Sequence, residues 1–236
     1  MTGATPTHPE LLDFLAQYLI DHDWSIKSLH RLILSSQVYR LTHQTSAEAE
    51  SVDPENRLLW RWPKRRMEAE LLRDSLLHIA GHLDTTTGGA SVGQVTTANP
   101  SPKDLDNNQR YYEESQMRSV YLPIVRTNVF KFFRLFDFPN PAAPKGNRDA
   151  TIVPTQALFL MNSNWVRKLA SEWASQIQAE ETSSVKRIEK IYLTGLGRPP
   201  SPFEIELATQ FIEQEPDPWP VLCHGIFMLN EFMYIE

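Results

Sequence analysis

Residues 148–163 read RDATIVPTQALFLMNS, and the fold turns on them. Ala157 to Met161 are apolar without interruption. Wound at about 3.6 residues per turn, such a run presents hydrophobic groups to every side, the pattern of a helix buried among other helices. Thr155 can cap its start, and Asn162 and Ser163 can close it and open the next helix. Those roles leave Gln156 and the group Arg148, Asp149 and Thr151 unassigned. A buried amide needs partners, so Gln156 is read as bracing the Pro-rich turn PNPAAPKGN (139–147) from beneath.

Downstream, the spacing predicts a helix from Ser163 to about Ala179 and another from Ser184 through Leu193. GLGRPP interrupts the pattern. SPFE (201–204) is a capping box opening a further helix lined by Phe203, Leu207 and Phe211, and a last helix runs from about Pro218 to Asn230. Upstream, Thr7–Glu10 reads as a capping box before Leu11, Leu12, Leu15, Tyr18 and Leu19. Ser25 caps a helix running to about Leu41. In DPENRLLWRW (53–62), Arg57, Leu59 and Arg61 alternate with Leu58, Trp60 and Trp62, which suggests a short extended piece. RSVYLPIVR (118–126) suggests a second, and Asn128 caps the aromatic helix after it. Between them a helix from about Lys64 to His82 carries the stripe Leu72, Leu76, Ile79 and Leu83. Carried back, that stripe lands on Glu68 and Arg65, a charged pair on a buried face. Arg66, Glu70, Arg73 and Asp74 then fall on the outer face as surface ion pairs.

Residues 84–117 are rich in Thr, Gly, Asn and Ser and have little to bury, so they are expected to form a long mobile loop. No βαβ rhythm and no internal repeat is present. The expected class is all-α: a single irregular bundle of about eight helices, at most two short extended segments and one long loop, forming one domain over the whole chain.

Composition excludes several function classes. The 236 residues are 41% hydrophobic and 22% charged, as in an ordinary globular protein. A net charge of −6 argues against a nucleic-acid binder held by the phosphate backbone. No apolar run approaches the ~18 residues of a membrane span. LLDFLAQYLI lacks the basic flank and cleavage site of a signal peptide. The single cysteine, Cys223, permits neither a disulfide within the chain nor a Cys-x-x-Cys-His haem site. It lies on the apolar stripe of Trp219, Leu222 and Ile226 and reads as a buried thiol. No cofactor motif occurs, so none is expected in this chain.

Two readings compete at each candidate site. Asp137 and Asp149 flank the Pro-rich turn and would serve as acid and base for glycoside cleavage if held roughly 5–9.5 Å apart. The favoured reading is that they cap or brace loops, with Arg148 as ion partner. Arg57, Arg61, Lys64, Arg65 and Arg66 crowd around Trp60 and Trp62. That density suits anionic groups on a polymer, an anionic glycan above all, or a bracing network around Glu68, Glu70 and Asp74. His78 and His82 have metal-ligand spacing but no third ligand, and no metal site is expected. A binding site is sought at Arg61, Arg65, Glu68, Arg148 and Gln156.

Eight phrases in order, HPELLDFLA (8–16), WSIKSLHRLILSSQVYRL (24–41), DPENRLLWRWPKRRMEAELLRDSLL (53–77), RSVYLPIVR (118–126), LFDFPNP (135–141), VPTQALFLMNS (153–163), GRPPSPFE (197–204) and NEFMYIE (230–236), span nearly the whole chain. Together they resemble the planctomycete-specific PSD domain family, a domain of unknown function. The resemblance implies no activity and no catalytic residues. It implies a large parent protein exported to the cell envelope, with a second domain of unknown function upstream and often a c-type cytochrome-like domain. Family domains begin before HPELLD, so the chain is expected to be the C-terminal portion of a longer protein or the product of a truncated gene. The expected partners are those upstream domains or a partner chain. Two functions fit: a non-catalytic accessory or interaction module, or part of a hydrolase or binding protein acting on polysaccharide, sulfated or not. A redox role has no residue here to carry an electron.

Overall fold

The computed structural model describes residues 5–87, 102–143 and 148–235. Over these residues the protein is all-α, with twelve α-helices and one two-stranded sheet. The class is as expected. The helix count exceeds about eight partly because three brief helices of four to six residues accompany the longer ones. The chain divides into two compact units, one ending at Arg65 and one spanning Arg66–Ile235.

The first unit holds α1 (Pro9–Asp21), α2 (Ile26–Ser35) and α3 (Ala47–Val52). The capping box expected at Thr7–Glu10 does not form: His8 is the N-cap, and the Thr7 hydroxyl bonds the His8 ring instead. The chain reverses through Asp23 and Trp24, both left-handed, while the His22 ring stacks on Tyr18 and meets the Tyr18 carbonyl. Ser25 caps α2 as expected. The helix stops at Ser35, short of Leu41, because serine side chains compete for the backbone. Ser36 donates to the Ile33 carbonyl and accepts from the Tyr39 amide, which sets up a 3-10 turn over Val38–Arg40. DPENRLLWRW is not extended either. The Asp53 carboxylate accepts the Leu58 amide at 2.7 Å, and the Asp53 carbonyl accepts the Trp60 indole N–H at 2.8 Å. Asn56 and Leu59 take left-handed backbone. Turn chemistry overrides the alternation.

The second unit begins at Arg66, the second residue of β1 (Arg65–Arg66), which pairs with β2 (Tyr234–Ile235); the Met67 amide donates to the Met233 carbonyl. Then α4 (Ala69–Ile79) buries Ala69, Leu72, Arg73, Leu76 and Leu77. It starts at Ala69, not Lys64. Residues before it are extended, so helical spacing cannot carry the inner stripe back to Glu68 and Arg65, and both are exposed. The buried arc instead takes in Arg73.

Helix α5 (Pro102–Glu114) occupies the second part of the stretch expected to be a loop. Its sequence is polar, and what holds it is a few buried contacts. Tyr112 is wholly buried and donates its hydroxyl to the Pro123 carbonyl at 2.7 Å. Gln109 accepts the Lys131 amide at 2.8 Å, capping α6 (Lys131–Leu135) in the role expected of Asn128. The expectation of mobility over 88–101 lies outside the described residues. Ser119–Tyr121 is a 3-10 turn, so RSVYLPIVR is not a strand.

Phe130, Phe132, Phe133 and Phe136 are buried around α6 and pack with Tyr112, Phe159 and Trp165. Each such aromatic pair adds about 0.5–1.5 kcal/mol beyond burial. Helix α7 (Pro154–Asn162) is capped at Val153, not Thr155. It is also not enclosed: Leu158 is 52% and Met161 47% exposed, and only Gln156 and Leu160 are buried. A short helix that packs against α8 (Asn164–Glu180) and α11 (Pro218–Met228) covers only one side.

Helix α8 is the centre of the unit. Trp165, Val166, Leu169, Ala170, Trp173, Ala174 and Ile177 recur at helical spacing and all are buried. They meet α4, α7, α9 (Ser184–Leu196) and α11. Trp173 stacks on Phe227 at 5.1 Å. Gly195 permits that approach, since a Cβ there lands 2.7 Å from Ile226 and 3.1 Å from Trp173. Gly197, at φ +70°, closes α9 in the left-handed cap. The Ser201–Glu204 capping box forms and opens α10 (Pro202–Gln214), and α12 (Asn230–Met233) precedes β2. Cys223 is buried, and burial pushes its thiol far above its ordinary range. No described helix is long and apolar enough to cross a membrane.

Candidate functional site

Asp137 stands at the end of α6. The Phe138 amide reaches back to the Phe133 carbonyl at 2.9 Å, which places Asp137 in the left-handed position of a Schellman-type cap, with φ +61°. Glycine is usual there; aspartate tolerates it. What the position gains is a carboxylate. Arg66 donates to it at 2.6 Å, the Thr151 amide at 2.8 Å and the Thr151 hydroxyl at 2.8 Å. Arg66 also donates to the carbonyls of Thr151 and Phe136. The pair is enclosed, with side chains 5% and 15% exposed. Burial pushes the Asp137 carboxyl up, but the hydrogen bonds from Arg66 and Thr151 outweigh it and hold it below its ordinary value. A general acid needs the opposite shift. The carboxylate joins the segment after α6 to the segment before α7.

Arg148 is not its partner. It forms a bidentate pair with Glu70 at 2.7 and 2.9 Å and touches Glu68 at 3.2 Å. Glu68 is 60% exposed there, and Asp149 is exposed. Gln156 donates to the Leu135 carbonyl at 3.0 Å, at the end of α6 and ahead of the Pro-rich turn it was expected to brace. The second-unit residues expected at one site therefore fall into separate contacts: Asp137 with Arg66 and Thr151, Arg148 with Glu70 and Glu68, Gln156 with backbone.

The side chain that sequence reasoning misplaced most is Arg73. Expected on the surface, it is wholly buried. It donates to the carbonyls of Tyr112, Ser115 and Met117 at 3.0, 2.6 and 3.0 Å, and to the Ser119 hydroxyl. Asp74 beside it accepts the Ser119 amide at 2.9 Å. Burial lowers the Arg73 pKa to about 10, so the group stays charged at neutral pH. Its place between Leu72 and Leu76 on the arc Ala69, Leu72, Arg73, Leu76, Leu77 was the available signal.

Arg61 and Arg65 belong to the first unit. The Arg61 guanidinium lies 5.0 Å from the Trp60 ring centre. Both arginines line a groove of about 560 Å³ whose other walls are mostly apolar, including Leu11, Leu15, Ile33 and Trp62. No residue of α1, α2 or α3 is buried.

Two further cavities hold polar groups that are largely satisfied internally. His82 bonds Glu172 at 2.9 Å. A cavity of about 510 Å³ brings His78 and Arg118 near Asp74 and Glu231, which are engaged by Ser119 and Arg198 respectively. Among the described residues no three His, Cys, Asp or Glu side chains converge as a metal site.

A family model described as PSD1, protein of unknown function (DUF1553), matches residues 1–212. No curated protein matches the chain, and no solved structure does.

Proposed function

The chain belongs to the PSD1 family of proteins of unknown function, and from that premise we propose that it is a non-catalytic interaction module of a larger envelope protein. One observation carries the reading: helices α1 and α2 bury no residue, while Leu11, Phe14, Ile33 and Val38 stand exposed around a mostly apolar groove. Contiguous apolar surface on a helical pair marks a docking face. Among the described residues the charged groups lining the groove are Arg61 and Arg65. Charge complementarity selects the occupant: an amphipathic helix with an apolar face and an acidic flank, from the parent protein or a partner chain. A hydrolase reading finds less support, because the Asp137 carboxylate is held ionised by structural partners and does not face Arg148.

The test is fluorescence anisotropy of a labelled model helix with leucines on one face and glutamates flanking it. Saturable binding that weakens in raised salt and drops about tenfold or more in Leu15→Glu supports the groove, with a scrambled peptide as control. No binding to the folded chain, or equal binding by Leu15→Glu, refutes it. Concentration-dependent dimers in light scattering, lost in Leu15→Glu, replace the acidic helix by a second copy.

A further inference from the structure

In the second unit a separate cavity of about 420 Å³ opens between Arg126–Val129 and Arg134–Pro141. Arg126, Thr127, Arg134, Phe138 and Asn140 are among its walls. Among the described residues the charged side chains lining it are the two guanidiniums, with no carboxylate. Elsewhere in the unit Arg66, Arg73, Arg148 and Arg198 are each paired with a carboxylate. Among the described residues Arg126 and Arg134 form no ion pair. Two like charges sharing one cavity repel, and an anion between them reverses that term.

The walls are preorganised. Val125 and Phe133, the neighbours of the two arginines, are buried, so each arginine stands on an anchored backbone and is itself exposed. The Tyr112 hydroxyl holds the Pro123 carbonyl, and the Gln109 amide holds Asn128. Phe138 stacks on Phe133 at 5.2 Å. Asn140 Oδ1 already accepts the Ala142 amide at 3.0 Å, which leaves the Asn140 NH2 group to donate. Two guanidinium forks, an amide and the Thr127 hydroxyl supply more donors than the two oxygens of a carboxylate use. The three terminal oxygens of a sulfate or phosphate ester match them better.

We infer that the Arg126–Arg134 cavity binds a sulfate or phosphate ester carried on a small polar molecule such as a sugar. The cavity lies in the size range of small-molecule sites and exceeds what a bare ion fills. This site is independent of the first-unit groove, so either assignment can fail alone.

Calorimetric titration of the purified chain with glucose 6-sulfate, glucose 6-phosphate, glucose and inorganic sulfate tests it. Saturable binding of at least one ester, with glucose inert, is the expected result. Arg126→Gln and Arg134→Gln should each weaken it by roughly tenfold or more, whereas Arg167→Ala, whose guanidinium contacts the Met161 carbonyl, should not. Both Gln substitutions are at exposed positions, and circular dichroism verifies that the variants are folded. Which ester binds more tightly identifies the source of the anion. Absence of binding by either ester, or unchanged affinity in both folded Gln variants, overturns the assignment.

Discussion

Arg73 offers the sharpest test of the structure. Its guanidinium satisfies three carbonyls between Tyr112 and Met117, at the end of α5 and just after it. Truncation to alanine removes the donors, leaves those acceptors short of partners and opens a cavity beneath α4. A buried acceptor without a donor costs about 1–3 kcal/mol, and breaking a buried charged network about 3–5 kcal/mol. The terms overlap, because water reaches part of the opened space, so the expected loss is about 4 kcal/mol. For a chain of this size that lowers Tm by roughly 8–16 °C. Arg73→Met fills most of the volume without restoring a donor and should recover only a minor share. Arg73→Lys keeps the charge but loses the fork, and should fall between. Urea or thermal unfolding followed by circular dichroism measures all three. Hydrogen exchange adds a local readout: the Ser119 amide, bonded to Asp74, should lose protection in Arg73→Ala. A Tm within about 3 °C of the parent for Arg73→Ala refutes the buried-network reasoning and places this arginine in water.

The Asp137 carboxyl has a folded pKa below its ordinary value, so its stabilising contribution is present above the unfolded pKa and fades as pH falls through the folded one. Asp137→Asn, which still tolerates the left-handed backbone, should destabilise at neutral pH and flatten the loss of stability below about pH 4; parallel acid titrations of Tm contradict this. Glu68→Ala and Arg65→Ala, exposed rather than buried as a pair, should each change stability by no more than about 0.5 kcal/mol in urea unfolding. A loss near 3 kcal/mol in either would restore the buried pair. Cys223, its thiol raised by burial, should resist a thiol reagent in the native chain and react on unfolding, which a colorimetric titration follows.

Sequence alone determined the fold class, the long helices of the second half and two of their start signals. Ser163 and Ser201 cap the helices they were expected to cap, because a cap is a local transaction between a side chain and amides two or three residues on. The order of eight phrases carried the family, which the match over residues 1–212 shows. The helix α5 was illegible, since its stability comes from Tyr112 and Gln109 meeting residues after position 122. The short length of α2 reflects serine competition that periodicity does not register. At the candidate site the residue types were legible and their pairing was not: Asp137 meets Arg66 across 71 positions and Arg148 meets Glu70 across 78. Hydrophobic period places a side chain on a face of its own helix only where that helix exists, and β1 ends the period before Arg65 and Glu68 can share it. Which cation meets which carboxylate, and which arginines are left facing a cavity, is decided by contacts between distant segments, and those form only when α4, α6 and α8 pack.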